Sequence, residues 1–130
     1  MARNKLRWVF LAGLASGSVV WALSIPITGF REPFDSPGPY YVIAMFVAGV
    51  LAALPAPRYW WMAVIGTYLG ERLYAFIMLP ETRAWILFGL IMNIVTLSWV
   101  PATIGGLCTF SGSRWLAKRA RRRNNTAVEE

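Results

Sequence analysis

Charge in this chain is pushed to its two ends. Arg3, Lys5 and Arg7 open it, and Arg114, Lys118, Arg119, Arg121, Arg122 and Arg123 nearly close it. Between Trp8 and Ser113 the charged residues are Arg31, Glu32, Asp35, Arg58, Glu71, Arg72, Glu81 and Arg83. A water-soluble domain spreads charge over its whole surface, and the middle of this chain cannot supply one. Composition agrees: 57% of residues are hydrophobic and 15% charged, against roughly 45–50% and 25% in soluble domains. At 130 residues the chain has room for one domain. The reading is an all-α membrane protein.

Four apolar stretches, punctuated by helix signals, predict spans over about 8–27, 37–54, 57–79 and 84–110, each near the roughly 20 residues that cross a bilayer. The basic start leading into an apolar run also suits a cleaved signal peptide, against which stand the run's length and the placing of Trp21 and Pro26. The polar stretch Thr28–Ser36 reads as an external loop, with Asp35 and Ser36 as N-caps and Pro37 in the first turn of the second helix. Pro55 and Pro57 make the next turn, where Arg58, Tyr59, Trp60 and Trp61 are interfacial anchors. Pro80–Arg83 is short enough to force an antiparallel hairpin between helices three and four. Helix four then passes Pro101 with a kink. Residues 1–123 form one transmembrane domain, and 124–130 are expected to be disordered.

Cationic loops favour the cytoplasm. Four spans place Arg3, Lys5, Arg7, Arg58 and the tail cations on one side, with only Arg31 and Arg83 in external loops. A fifth span broken at Pro101 would carry the tail outside. The expected architecture is therefore an up-down-up-down bundle with both termini cytoplasmic.

The most informative residues inside a span are Glu71 and Arg72, because a charge at the centre of a span is unfavourable by about 2.5–3.5 kcal/mol on insertion scales. Thr67, Glu71 and Tyr74 share a face at i, i+4 and i+7. Gly89, Asn93, Thr96 and Thr103 make a matching stripe on helix four, and the expected hairpin brings Asn93 to Glu71 or Arg72. Two readings stand. One is a proton, ion or solute site in the bundle interior. The other, which off-centre depth favours, is a structural polar clamp with Arg72 snorkelling outward.

Gly13 and Gly17 form GxxxG in helix one, and Gly66 and Gly70 form it in helix three. Their similar depth predicts close parallel packing of those two helices, with a homodimer as the alternative. Without histidine and with one cysteine, the chain has no zinc, haem or iron–sulfur ligand set and no Ser–His–Asp arrangement. Gly105-Gly106 followed by Thr109 matches no phosphate-binding loop. No cofactor and no enzymatic activity are expected. Cys108 reads as a packing residue. The net charge of +7 would suit nucleic acid, but its placement beside apolar runs suits topology and anionic lipid headgroups better. A cytosolic partner for the tail stays open.

The loop Arg31-Glu32-Pro33-Phe34-Asp35-Ser36-Pro37, followed by Tyr40-Tyr41, resembles a loop of small bacterial four-span inner-membrane proteins with an EPxDxP-type sequence. Tyr68-Leu69-Gly70 and the exit from Pro101 to Arg123 are similar to theirs. The resemblance covers most of the chain and implies topology and a bacterial inner membrane, with no assigned activity. Small multidrug exporters have a similar length but carry their key glutamate in the first helix, where this chain has no acid. Small fluoride channels are similar at Gly106-Leu107-Cys108-Thr109-Phe110-Ser111, but a further span follows that segment in them.

The bilayer is the expected partner, together with a larger membrane protein or further copies of the chain. The function these features suggest is an accessory or interaction subunit. The alternative is an oligomeric transporter or channel using Glu71, Arg72 and Asn93.

Overall fold

The structure, a computed structural model, describes residues 2–33, 35, 36, 38–78 and 99–126, without side chains at residues 2, 3 and 123–126. It is all-helical, with no strand among the described residues. Helix α1 spans Ala2–Ala22 and α2 spans Ser24–Thr28. They are one path interrupted at Leu23, because Pro26 has no N–H to offer the carbonyl of Ala22 and its ring crowds that turn. The ladder resumes on both sides, with Leu23 N–H donating to Val19 at 2.9 Å and Ile27 N–H to Leu23 at 3.1 Å. Gly29, at φ +79°, ends α2 in the left-handed conformation.

The loop that follows is tucked in. Asp35 N–H donates to the Glu32 carbonyl at 3.2 Å, a turn with Pro33 in the position that its fixed φ suits. Pro33 is fully buried, and the Ser36 hydroxyl donates to its carbonyl at 2.7 Å. Helix α3 spans Tyr40–Ala53, so it begins three residues later than the sequence suggested. Ser36 bonds within the turn instead of capping a helix, and the cap position is Pro39, with no side-chain hydrogen bond. Gly38, at φ +101°, is the reason: a left-handed residue ahead of Pro39 cannot belong to a right-handed helix.

A short 3-10 turn at Pro57–Tyr59 leads into α4, Trp60–Met78. Helix α5 spans Val100–Thr126. Pro101 stands in its first turn, where no N–H is required. The helix also continues through Asn124, Asn125 and Thr126, residues expected to be disordered, because no breaker interrupts it after Gly112. The first part of the expected fourth span and the Pro80–Arg83 connection lie outside the described residues.

Contacts set the directions. Along α1 and α4, Phe10 meets Gly66, Leu14 meets Gly70 and Trp21 meets Tyr74, so these helices are parallel. Helix α3 runs against them, with Tyr40 at Val20 and Tyr41 at Glu71. Helix α5 runs with α3, from Ala102 at Gly49 to Thr109 at Val50. The helices thus form two parallel pairs, α1 with α4 and α3 with α5, joined mainly along α1 and α3.

Most of the core is made of small side chains, with Met45 and Trp21 the large ones buried. Val9, Ala52, Ala53, Ala56 and Ala63 form one cluster, and Val20, Met45, Ala48 and Ala102 the other. Other large apolar side chains point outward: Trp8, Leu11 and Val19 on α1, Val42, Val47 and Leu51 on α3, Trp61, Ile65, Leu69 and Phe76 on α4. Among the described residues one helical stretch, Asn4–Thr28, is long and apolar enough to cross a membrane, and Tyr40–Ala53 is a shorter apolar helix.

Candidate functional site: a buried carboxylate under a glycine contact

Four glycines decide how the interior is built. A methyl on Gly17 would land on the carbonyl of Thr67 and 3.1 Å from the Glu71 nitrogen. At Gly13 it would meet the Gly66 Cα at 3.0 Å, and at Gly70 the Leu14 Cα at 2.9 Å. The structure therefore sets Gly13 against Gly66, Gly17 against the Thr67 and Glu71 backbone, and Gly70 against the Leu14 backbone, with backbone on backbone. Ser18 adds a hydrogen bond across this contact, from its hydroxyl to the Gly70 carbonyl at 3.0 Å.

Glu71 lies at the end of that seam, and its side chain has no solvent exposure. Burying an ionised carboxylate is unfavourable unless hydrogen bonds and opposite charge replace water. Tyr41, from the antiparallel helix α3, donates its hydroxyl to Glu71 Oε1 at 3.1 Å. Arg72 Nη2 stands 3.8 Å from Glu71 Oε2, within ion-pair range but beyond a hydrogen bond. Among the described residues, Glu71 Oε2 and Arg72 Nε and Nη2 have no hydrogen-bond partner. The Arg72 guanidinium lies over the Tyr68 ring, 5.5 Å from its centre, a cation–π contact.

The expected stripe divides on inspection. Thr67 is fully buried, but its hydroxyl donates to the Ala63 carbonyl at 2.9 Å, one turn back in its own helix. Tyr74 packs its ring against Trp21, centre to centre 6.4 Å. Glu71 and Arg72 therefore form the charged heart of the stripe, while Thr67 and Tyr74 flank it. Asn93 lies outside the described residues, as do Gly89 and Thr96. Thr103 donates to the Trp99 carbonyl at 3.1 Å, within its own helix.

The tucked loop reaches the same region. Burial, then the neighbouring Asp35 carboxylate, raises the pKa of Glu32, while Arg72 draws it back down. Sequence reasoning missed this approach, and it missed Tyr41 as the partner of Glu71. It also missed a second seam, in which a methyl on Gly49 would strike Ala102 and one on Gly105 would stand 3.0 Å from the Val50 nitrogen. The Tyr68–Arg72 contact, in contrast, was legible, because the two residues are one turn apart.

The other site residues lie elsewhere. Arg114, Lys118, Arg119, Arg121 and Arg122 are all exposed on α5, and Arg123 belongs to the same helix. Cys108 is exposed, not packed, because with Leu107 it lies on the outer face of α5, while Gly105, Gly106 and Thr109 face the bundle. Among the described residues no three His, Cys, Asp or Glu side chains come together as a metal-ligand set.

No protein-family model, curated protein or solved structure matches this chain.

Chemically, the Glu71 arrangement suits holding helices together. Tyr41 ties α3 to α4 through the carboxylate, and the glycine seam ties α1 to α4 so closely that no solute fits between them.

Proposed function

We propose that the chain is a four-span integral membrane protein with both termini in the cytoplasm. In this reading it resides in a bacterial inner membrane of the kind that the loop resemblance implies, and serves as an accessory subunit packing against a larger membrane partner. The observation that carries the membrane reading is the inverted placing of side chains. Alanine, glycine, Thr67 and Glu71 make up much of the interior, with Val9, Val20, Trp21 and Met45 the larger apolar side chains buried there, while Leu11, Val19, Val47, Leu51, Ile65 and Leu69 face outward. Contiguous apolar exposure over several helices marks a membrane or partner surface. In lipid, helices pack through small residues, since lipid tails already solvate large apolar ones. The basic residues add support, as Arg7, Arg58 and the exposed cations of α5 share one side under this topology.

Two observations favour the accessory role. The glycine seam closes the α1–α4 interface, and Tyr41 anchors Glu71 across the bundle. Native mass spectrometry of the protein released directly from its own membranes tests it. A mass containing a second, unrelated chain supports the proposal and identifies the partner. A symmetric homo-oligomer without another chain would overturn it.

A transport reading rests on one specific observation, the unpaired atoms of Glu71 and Arg72 among the described residues. It expects Glu71→Gln to abolish flux in a protein that stays folded and inserted. The clamp reading expects the same change to lower thermal stability without a specific transport defect.

A further inference from the structure

The last part of α5 is built unlike the rest of the chain. The helix packs on the bundle at Gly106, where a methyl would lie 3.4 Å from Trp60, and at Thr109, whose hydroxyl donates to the Val50 carbonyl at 3.4 Å. From Arg114 to Arg122 every residue is exposed. No Asp or Glu lies between Arg114 and Thr126. Arg114 and Lys118 are like charges one turn apart, which destabilise a helix in water. So short an extension is also marginal without packing. Its helicity calls for an anionic surface to lie against.

The arm has the features of one that meets lipid. Trp115, Lys118, Arg119 and Arg122 line one groove, the i, i+3, i+4, i+7 spacing of a single helical face. Arg119 stacks over Trp115 at 5.1 Å and Arg114 over Phe110 at 5.5 Å. Trp115 and Leu116 are 58% and 61% exposed, apolar area that an acyl boundary would cover and a purely aqueous partner such as a nucleic-acid backbone would not. Extended straight, the helix would carry Arg122 about 24 Å beyond Gly106, past a headgroup layer only about 5–7 Å deep. Within this unbroken helix, Ser111-Gly112-Ser113 is the segment best suited to bend: the Ser113 hydroxyl bonds the Phe110 carbonyl at 2.7 Å and nothing lies within 4 Å of a methyl on Gly112. Gly/Ser pairs and such back-bonding bend helices.

We propose that the arm beyond Gly112 folds onto the inner leaflet as an interfacial helix, with its Trp115–Arg122 groove taking the phosphates of anionic phospholipids. This rests on the membrane reading above. The test uses the full chain carrying Cys108→Ser and a spin label at Leu116→Cys, in vesicles of phosphatidylcholine with or without phosphatidylglycerol. Flotation with both vesicle types, and a label that moves from water to the bilayer interface only with the anionic lipid, is the expected result. The triple change Lys118→Gln, Arg119→Gln, Arg122→Gln should lower the docked-to-undocked ratio by roughly 100-fold while leaving thermal unfolding of the bundle unchanged. A label equally water-exposed in both vesicles of a floating chain would overturn the arm proposal alone. So would a label that an added oligonucleotide immobilises and the anionic lipid does not. A chain that floats with neither vesicle would overturn the membrane reading and the arm with it.

Discussion

At the scale of single residues, the account turns on how Glu71 remains buried. Its carboxylate accepts from Tyr41 at 3.1 Å and faces Arg72 at 3.8 Å, and removing the Tyr41 hydroxyl takes a hydrogen bond away from a buried charge. Tyr41→Phe should therefore destabilise the fold by about 1–3 kcal/mol, read as a lower Tm in detergent, with Tyr40→Phe as a comparison that leaves Glu71 untouched. Glu32 yields a pH signature. Its pKa is raised in the folded chain, first by burial and then by Asp35. Its contribution to stability is thus fully present below the ordinary carboxylate pKa and is lost as pH rises through the raised one. Glu32→Gln should flatten that part of the stability profile, matching the native chain in acid and exceeding it at neutral pH. An identical pH profile in the two proteins would remove the loop from the Arg72 neighbourhood. Glu71 and Arg72 stood out in the sequence because charge inside an apolar run is conspicuous. Tyr41 did not, because a tyrosine near a helix start reads equally well as an interfacial anchor.

At the scale of helices, packing follows from where side chains are missing. Gly17→Ala places a methyl on the Thr67 carbonyl, so α1 and α4 must separate, a change of about 1–3 kcal/mol. Gly112→Ala meets nothing within 4 Å and replaces a poor helix former, so it should leave the bundle's Tm unchanged or raise it by up to about 1 kcal/mol of stability. Thermal unfolding of the two variants side by side checks the seam. The α1–α4 seam was legible because GxxxG is a spacing that can be read by eye. The α3–α5 seam is spread over Gly49, Ala102 and Gly105, whose pairing depends on register between helices distant in sequence. The start of α3 was misplaced for a related reason. Asp35, Ser36 and Pro37 spell a helix start, but Gly38 adopts φ +101° and resets the path, a backbone choice that sequence leaves open.

At the scale of the whole molecule, charge segregation and the inverted core are two faces of one constraint. A chain whose middle carries little charge has little to present to water there, and here many of its large apolar side chains are on the outside. The helical class and the alternation of α1, α3, α4 and α5 were legible from the apolar runs and their prolines. The neighbour relations were legible only in part, because they depend on which small residues meet. The most direct measurement is cysteine accessibility in intact cells, using a membrane-impermeant maleimide. Two sites serve, each in a Cys108→Ser background: Asp35→Cys and Ala117→Cys, both exposed in the fold. Asp35→Cys is expected to react in intact cells, Ala117→Cys to react only after permeabilisation, and the protein to stay with the membrane through an alkaline wash. Equal labelling of both positions, or release of the protein by the wash, would contradict it.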